Sequence, residues 1–171
     1  GLCKLPWNDN TPVRNKPAKE PTKVPEHQEN YRWLYEGVTG EPLPEEKMIL
    51  QAERVYYFQR VFNLRMGFGQ RDQDIPPYRM VGPVTNEEYE SRVERYDKQL
   101  KEEAGIDPTH VSTTEKVAAL RKFRTDRYEK LVDTVYARRK WTKEGIPTIE
   151  SLRDLGIDYP DVVEIVKRHG G

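Results

Sequence analysis

Apolar positions recur every three or four residues over most of the chain, and each recurring stretch reads as one face of a helix. Between Glu26 and Val38 the face is Tyr31, Leu34, Tyr35 and Val38, with Gly37 and Gly40 near its end. From Glu45 to about Leu64 the recurring set is Met48, Ala52, Val55, Gln59 and Phe62. Early acids Glu45 and Glu46 suit the positive end of that helix's dipole, and late Arg60 and Arg65 suit the other. Thr85 and Glu88 have the spacing of a capping box that opens a helix to about Ala104, closed by Gly105. Its apolar stripe is narrow: Tyr89, Val93, Tyr96 and Leu100.

A longer pattern begins at the N-cap candidates Ser112 to Thr114 and runs to Lys140, through Val117, Leu120, Arg121, Arg124, Tyr128, Leu131 and Val135, with Trp141 nearby. Thr125-Asp126 is a second cap signal inside it, so a break there stays open. Gly145-Ile146-Pro147-Thr148 reads as a turn whose threonine caps a short helix through Leu155, stopped by Gly156. Tyr159-Pro160 then opens a last helix, Asp161 to Arg168. No alternating run is long enough for a strand, and no internal repeat is visible. The expected class is all-α, an irregular helical domain.

Two stretches interrupt the pattern. Leu5 to Pro25 carries Pro6, Pro12, Pro17, Pro21 and Pro25 among polar residues, which forces an extended or irregular path. We therefore divide the chain into a connector, 1–25, and a helical domain, 26–171. Met66 to Val84 holds Gly67, Gly69, Pro76, Pro77, Gly82 and Pro83, the punctuation of a structured loop.

Composition narrows the function classes. The 171 residues contain 29 Lys plus Arg and 29 Asp plus Glu, so no net field draws in nucleic acid or an acidic membrane surface. No apolar run approaches the roughly 18 residues of a membrane span. Lys4, Asp9, Arg14 and Lys16 break up any signal-peptide core. A single cysteine, Cys3, fits a reducing compartment, and a cytoplasmic location is expected. The opening Gly1-Leu2-Cys3, with 34% charged residues and 35% hydrophobic ones, is expected of a piece of a longer protein that packs on something else.

Few residues offer chemistry. His27, His110 and His169 are scattered without metal-ligand spacing. Gly67-Phe68-Gly69 lacks the preceding strand and third glycine of a nucleotide loop and reads as a turn. Arg138-Arg139-Lys140 suits helix-end surface charge. Asp72 and Asp74 lie close in sequence to Arg54, Arg60, Arg65 and Arg79, which favours ion pairing over proton transfer at neutral pH. No catalytic residue is assigned.

Gly1-Leu2-Cys3-Lys4 resembles the end of the D-x-x-G-L-C-x pterin-binding motif of the aldehyde:ferredoxin oxidoreductase family. Glu53-Arg54, Gln59 through Asn63, Arg65, Gly67, Asp72, Asp74, Pro76 and Arg79 are similar to that family's E-R…R-x-F-N…R-x-G…D…P-x-R signature. Tyr136, Arg138, Trp141, Gly145 through Thr148, Leu152, Leu155 and Gly156 resemble its Y-x-x-R-x-W…G-I-P-T…L-x-x-L-G ending. Gln59 and the Pro77-Tyr78 pair depart from the common pattern.

The resemblance implies a parent oxidoreductase that turns aldehydes into acids at a tungsten (or molybdenum) bis-pterin and passes electrons through a 4Fe-4S cluster to ferredoxin or another redox subunit. It implies that Cys3 is the last of four thiolate ligands of that cluster, and that Gly1, Leu2 and Lys4 help hold a pterin. The other ligands and the cofactor cradle would come from the remaining domains of the parent, so cluster and pterin belong to the full-length enzyme. Two alternatives stay open: the tungsten subunit of a benzoyl-coenzyme A reductase, and a non-catalytic helical interaction module in which Cys3 is inert.

Overall fold

The computed structural model describes residues 25–171. Seven α-helices account for the regular structure among them: α1 (Pro25–Thr39), α2 (Glu45–Arg65), α3 (Asn86–Glu90), α4 (Val93–Glu102), α5 (Thr113–Arg138), α6 (Ile149–Asp154) and α7 (Pro160–Arg168). The described residues contain no strand, only one isolated bridge between Trp141 and Pro147. The all-α expectation holds. No helix among them is long and apolar enough to cross a membrane. Two compact units meet in sequence within α2, one ending at Tyr56 and the other running from Tyr57 to Gly171.

In the first unit, α1 ends where Gly40 takes φ +73° and its N–H donates to Glu36 O at 2.7 Å. The Arg32 Nε–H donates to the Leu43 carbonyl at 2.8 Å, which fastens the turn before α2, and Leu43 is buried. The proposed connector falls on residues 1–24, outside the described residues, and on Pro25, the first residue of α1.

The second unit is built around α5, whose 26 residues are unbroken at Thr125 and Asp126. Ser112 and Glu115 form a reciprocal capping box at its start. Tyr89, Tyr96, Leu100 and Leu120 form a core with Val117, Ala119 and Phe123 packed against it, joining α3 and α4 to α5. Burial of such side chains is the main stabilising term, about 1.5–3 kcal/mol for a fully covered Leu.

Several expectations need correction. The helix from Thr85 to Ala104 is two helices, because Arg92 leaves the helical region at φ −140°, ψ 32° and the Ser91 hydroxyl ties off the Glu88 carbonyl at 2.8 Å. A straight helix would set Tyr89 and Tyr96 about 10.5 Å apart along its axis; here their rings lie 5.2 Å apart. Val93 is consequently exposed, outside the stripe assigned to it. Thr85 does cap the Glu88 N–H, but the Glu88 carboxylate accepts from Val84 N at 3.0 Å rather than closing the box. On α5, Leu131 is exposed while Val132 is buried. On α2, the buried side is Tyr57, Arg60, Val61 and Leu64, and the recurring set Ala52, Val55, Gln59 and Phe62 lies on the exposed side. That helix is apolar on both sides, so spacing alone could not choose between them.

The C-terminal end follows the sequence reading closely. Thr148 caps α6 through a bond from the Ser151 N–H at 3.2 Å, and Tyr159 precedes a proline at the first position of α7. The loop 66–84 contains two short 3-10 turns, Arg71–Gln73 and Tyr78–Val81.

Candidate functional site

The most connected polar residue of the second unit is Arg60, on the inward side of α2 and only 8% exposed. Its hydrogen bonds fan out over three segments. Nε donates to the Gly145 carbonyl at 2.8 Å, Nη1 to Asp74 Oδ1 at 3.0 Å and Nη2 to Asp74 Oδ2 at 2.6 Å. Nη2 also lies 3.3 Å from the Tyr136 hydroxyl, which itself donates to Asp74 Oδ2. The guanidinium carbon stands 4.9 Å from the centre of the Trp141 ring. A planar fork suits this task, since Lys could not satisfy a carboxylate and a carbonyl at fixed angles.

Neighbouring residues enclose the fork. Trp141 packs edge-on to Tyr57 at 5.3 Å, and the Tyr57 hydroxyl donates to the Arg139 carbonyl. The Tyr128 hydroxyl donates to the Asp74 carbonyl at 2.7 Å. Gly145 sits at φ +77° with its Cα against the cluster; a Cβ there would fall 2.6 Å from the Tyr136 oxygen and closer still to Arg60 Nη2. Glycine is required on both counts.

Charge follows geometry. Burial pushes the Asp74 carboxyl up, but hydrogen bonds from Arg60 and Tyr136 and the Arg60 charge outweigh it and hold the group below the usual carboxylate range. Burial and the adjacent Asp74 push the Tyr136 phenol up to about 12. Asp74 is therefore a fixed anion, as the ion-pairing reading expected; Asp72 is exposed and outside this cluster. A proton-transfer role at neutral pH has no support in these shifts.

Two further arginines pin the loop 66–84 to α5. Arg71 pairs with Glu129 and Asp133, each at 2.6 Å, and its backbone N–H donates to Glu144 O at 3.0 Å. Arg121 donates to the carbonyls of Tyr78, Gly82 and Pro83 and covers the Tyr78 ring at 3.8 Å. A cleft of about 590 Å³ beside Arg71, Tyr136, Trp141, Thr142 and Lys143 borders the Arg60 cluster. Among the described residues no three His, Cys, Asp or Glu side chains are grouped to hold a metal. Gly67 and Gly69 both take φ +83° in a turn. Lys140 pairs with Glu150 and Asp154, in keeping with surface charge for the basic triplet it ends.

The sequence-assigned site residues Gly1, Leu2, Cys3 and Lys4 lie outside the described residues. What the structure does bring together is the two downstream signatures, since Arg60 and Asp74 of one meet Tyr136, Trp141 and Gly145 of the other. The family described as aldehyde ferredoxin oxidoreductase, domains 2 & 3, matches residues 1–157. The chain belongs to the aldehyde ferredoxin oxidoreductase family. No significant match was found among curated proteins or among solved structures.

Within this member of the aldehyde ferredoxin oxidoreductase family, the cluster is a structural clamp rather than a reactive centre. Sequence reasoning quoted Arg60, Asp74, Tyr136 and Trp141 but did not see that they form one group, and it placed Tyr128 only on a helix face. The available signal was Arg60 itself, a permanent cation three residues from Tyr57, one from Val61 and four from Leu64 on an apolar side, which demands a buried anion.

Proposed function

We propose that this chain is the helical C-terminal part of a tungstopterin, iron-sulfur oxidoreductase that converts aldehydes to carboxylic acids and hands two electrons, one at a time, to ferredoxin. The observation that carries this reading is the family match across residues 1–157, which includes both signatures joined at Arg60 and begins on Gly1-Leu2-Cys3.

The donor set of this chain bears on the cofactor. A thiolate is the soft ligand that cluster iron takes, and the sequence has one, Cys3. One thiolate fits the role of a single ligand that completes a 4Fe-4S cluster begun elsewhere, and does not fit a cluster held by this chain alone. The cluster, when bound, supplies one-electron transfer; Cys3 would hold one iron, while the backbone groups of Gly1, Leu2 and Lys4 would face a pterin. The Arg60 fork ties its part of α2, the 71–74 turn and the Gly145 turn into one body.

Exposed apolar side chains in the loop 66–84 fit a partner domain. Phe68, Ile75, Tyr78 and Met80 are each at least 60% exposed, which is what a wall built to be covered by the remaining domains of its parent would present. The connector 1–25 would lead from that cofactor region to the helical domain 26–171, in a cytoplasmic, reducing setting.

The test is the full-length parent enzyme, produced anaerobically, with Cys3→Ser. Loss of one ligand is expected to lower iron content and alter the cluster's spectrum while the helical domain keeps its melting transition. Unchanged iron and an unchanged spectrum would remove Cys3 from the ligand set.

A further inference from the structure

A second cleft, of about 530 Å³, lies in the unit 57–171 and is lined by the loop 66–84, α4 and α5. That volume suits one small organic molecule. Pro76, Met80 and Val81 of the loop and Tyr128 of α5 give it an apolar lining. The remaining lining is polar. Arg95, Gln99 and Glu102 follow one another on a single face of α4 at steps of four and three, with Lys98 and Glu103 beside them and Arg124 from α5.

Arg124 decides what the cleft can hold. It is half-buried, and its guanidinium carbon stands 5.4 Å from the centre of the Tyr96 ring. Nε donates to the Gln99 side-chain oxygen at 3.2 Å and Nη2 to the same oxygen at 2.6 Å. One edge of the guanidinium is therefore filled by a neutral group. The other edge, Nη1 with the second Nη2 hydrogen, has no acceptor among the described residues. Gly82 leaves that end uncovered, since even a Cβ there would stand 3.5 Å from Nη1.

Arg60 shows how the same unit completes such a fork. Its Nε also donates to a neutral oxygen, of Gly145, and its Nη1 and Nη2 edge takes both oxygens of Asp74. Arg124 repeats the first half of that arrangement without the carboxylate. The nearby acids are engaged elsewhere, Glu102 with Lys98 and Glu103 with Arg127, which leaves Arg95 and Arg124 without an ion pair among the described residues.

From this geometry we infer that the cleft binds a free organic monocarboxylate with an apolar body. The carboxylate takes the open edge of Arg124 in bidentate fashion, Arg95 adds positive charge, and the body lies on Pro76, Met80, Val81 and Tyr128. Charge selects a monoanion. Three cations and two anions in the lining leave one positive charge, and Glu102 and Glu103 repel a second negative one. The apolar lining selects for the body, because an anion without one leaves that surface in water. A carboxylate carried on a peptide brings polar backbone groups that the apolar lining leaves unpaired. The site is built from this chain's own residues, so the inference stands or falls independently of the enzymatic reading.

The experiment uses the full 171-residue chain, whose three methionines are Met48, Met66 and Met80. Isotopic labelling of their methyl groups gives one magnetic-resonance signal inside the cleft and two outside it. Titration with phenylpropionate is expected to move the Met80 signal to saturation and to leave the other two in place. Phenylpropionamide, which keeps the body and loses the charge, N-acetylglutamate amide, which presents a protein-type carboxylate, and inorganic phosphate are each expected to bind about tenfold more weakly or worse, the effect of one lost charge-assisted interaction. Arg124→Gln is expected to weaken phenylpropionate binding by about the same factor. Arg95→Gln, at an exposed position, is expected to weaken it by less, and it decides the matter should Arg124→Gln lose helical circular dichroism. Lys130→Gln, an exposed cation of α5 outside the cleft, leaves binding unchanged. A Met80 signal that does not saturate, binding of the amide or of N-acetylglutamate amide as tight as that of phenylpropionate, or binding indifferent to both arginine variants would overturn the inference.

Discussion

Asp74 takes both ends of the Arg60 guanidinium, Nη1 at 3.0 Å and Nη2 at 2.6 Å, and thereby sets the distance between α2 and the loop that follows it. Everything else in the cluster, from the Gly145 carbonyl to the Tyr136 hydroxyl, is arranged around that pair. Removing one member leaves the other charge buried with no counter-ion.

Asp74→Asn is therefore expected to lower stability by about 2–3 kcal/mol in urea denaturation. This is somewhat below the roughly 3–5 kcal/mol of a fully buried pair, because the Asp74 side chain keeps 32% of its surface in contact with solvent. Arg60→Lys should cost nearly as much, since an ammonium cannot reach Asp74 and Gly145 together. A double-mutant cycle of Asp74→Asn with Tyr136→Phe should be non-additive, the two groups sharing one hydrogen bond.

Stability should fall at both ends of the pH scale, for different groups. The folded-state pKa of Asp74 is depressed below its unfolded value, so its contribution is complete above about pH 4 and is lost as pH falls through the folded value. Tyr136 is shifted the other way, up to about 12, so its contribution is complete below about pH 10 and is lost as pH rises through 12. Phenol absorbance followed during alkaline titration should show a late-ionising tyrosine that Tyr136→Phe removes. An early, single titration of all tyrosines would contradict this.

Gly145→Ala combines a left-handed backbone with a clash against Arg60 and Tyr136, and is expected to cost about 2–4 kcal/mol. Gly105→Ala is the matched control. Its φ is +69° but no atom lies within 4 Å of the added methyl, so only the backbone penalty of about 1–2 kcal/mol remains. Thermal unfolding of the two variants separates packing from conformation.

Ser112→Ala removes the reciprocal cap of the longest helix and should lower stability by about 1 kcal/mol. Glu115→Gln keeps the geometry of the box and should cost less. Denaturation midpoints at equal slope decide the order.

How far the sequence carried the reading depended on whether a signal was local. The Thr148 cap, the Tyr159-Pro160 start and an N-cap among Ser112 to Thr114 are encoded within a few residues, and each appears where the sequence puts it. The break at Ser91-Arg92 was missed because neither residue is a strong helix breaker; it arises from bringing both Tyr89 and Tyr96 into the core beside Leu120. The inward side of α2 was missed because apolar residues surround that helix, and only a buried cation, Arg60, distinguishes the sides. The partnership of Arg60 with Gly145 spans 85 residues and leaves no trace in either local pattern. The residues expected to touch cofactor, Gly1 to Lys4, lie outside the described part of the chain.

The Arg60 fork also has a kinetic side. Most contacts of a helical unit are local and form early, but this one must wait until segments far apart in sequence have closed on each other, with the loop entropy already spent. Contacts of that kind are expected to form after the folding transition state. Their loss leaves the folding rate almost unchanged and appears as faster unfolding, so the fork's role is to prolong the lifetime of the folded unit rather than to help it form.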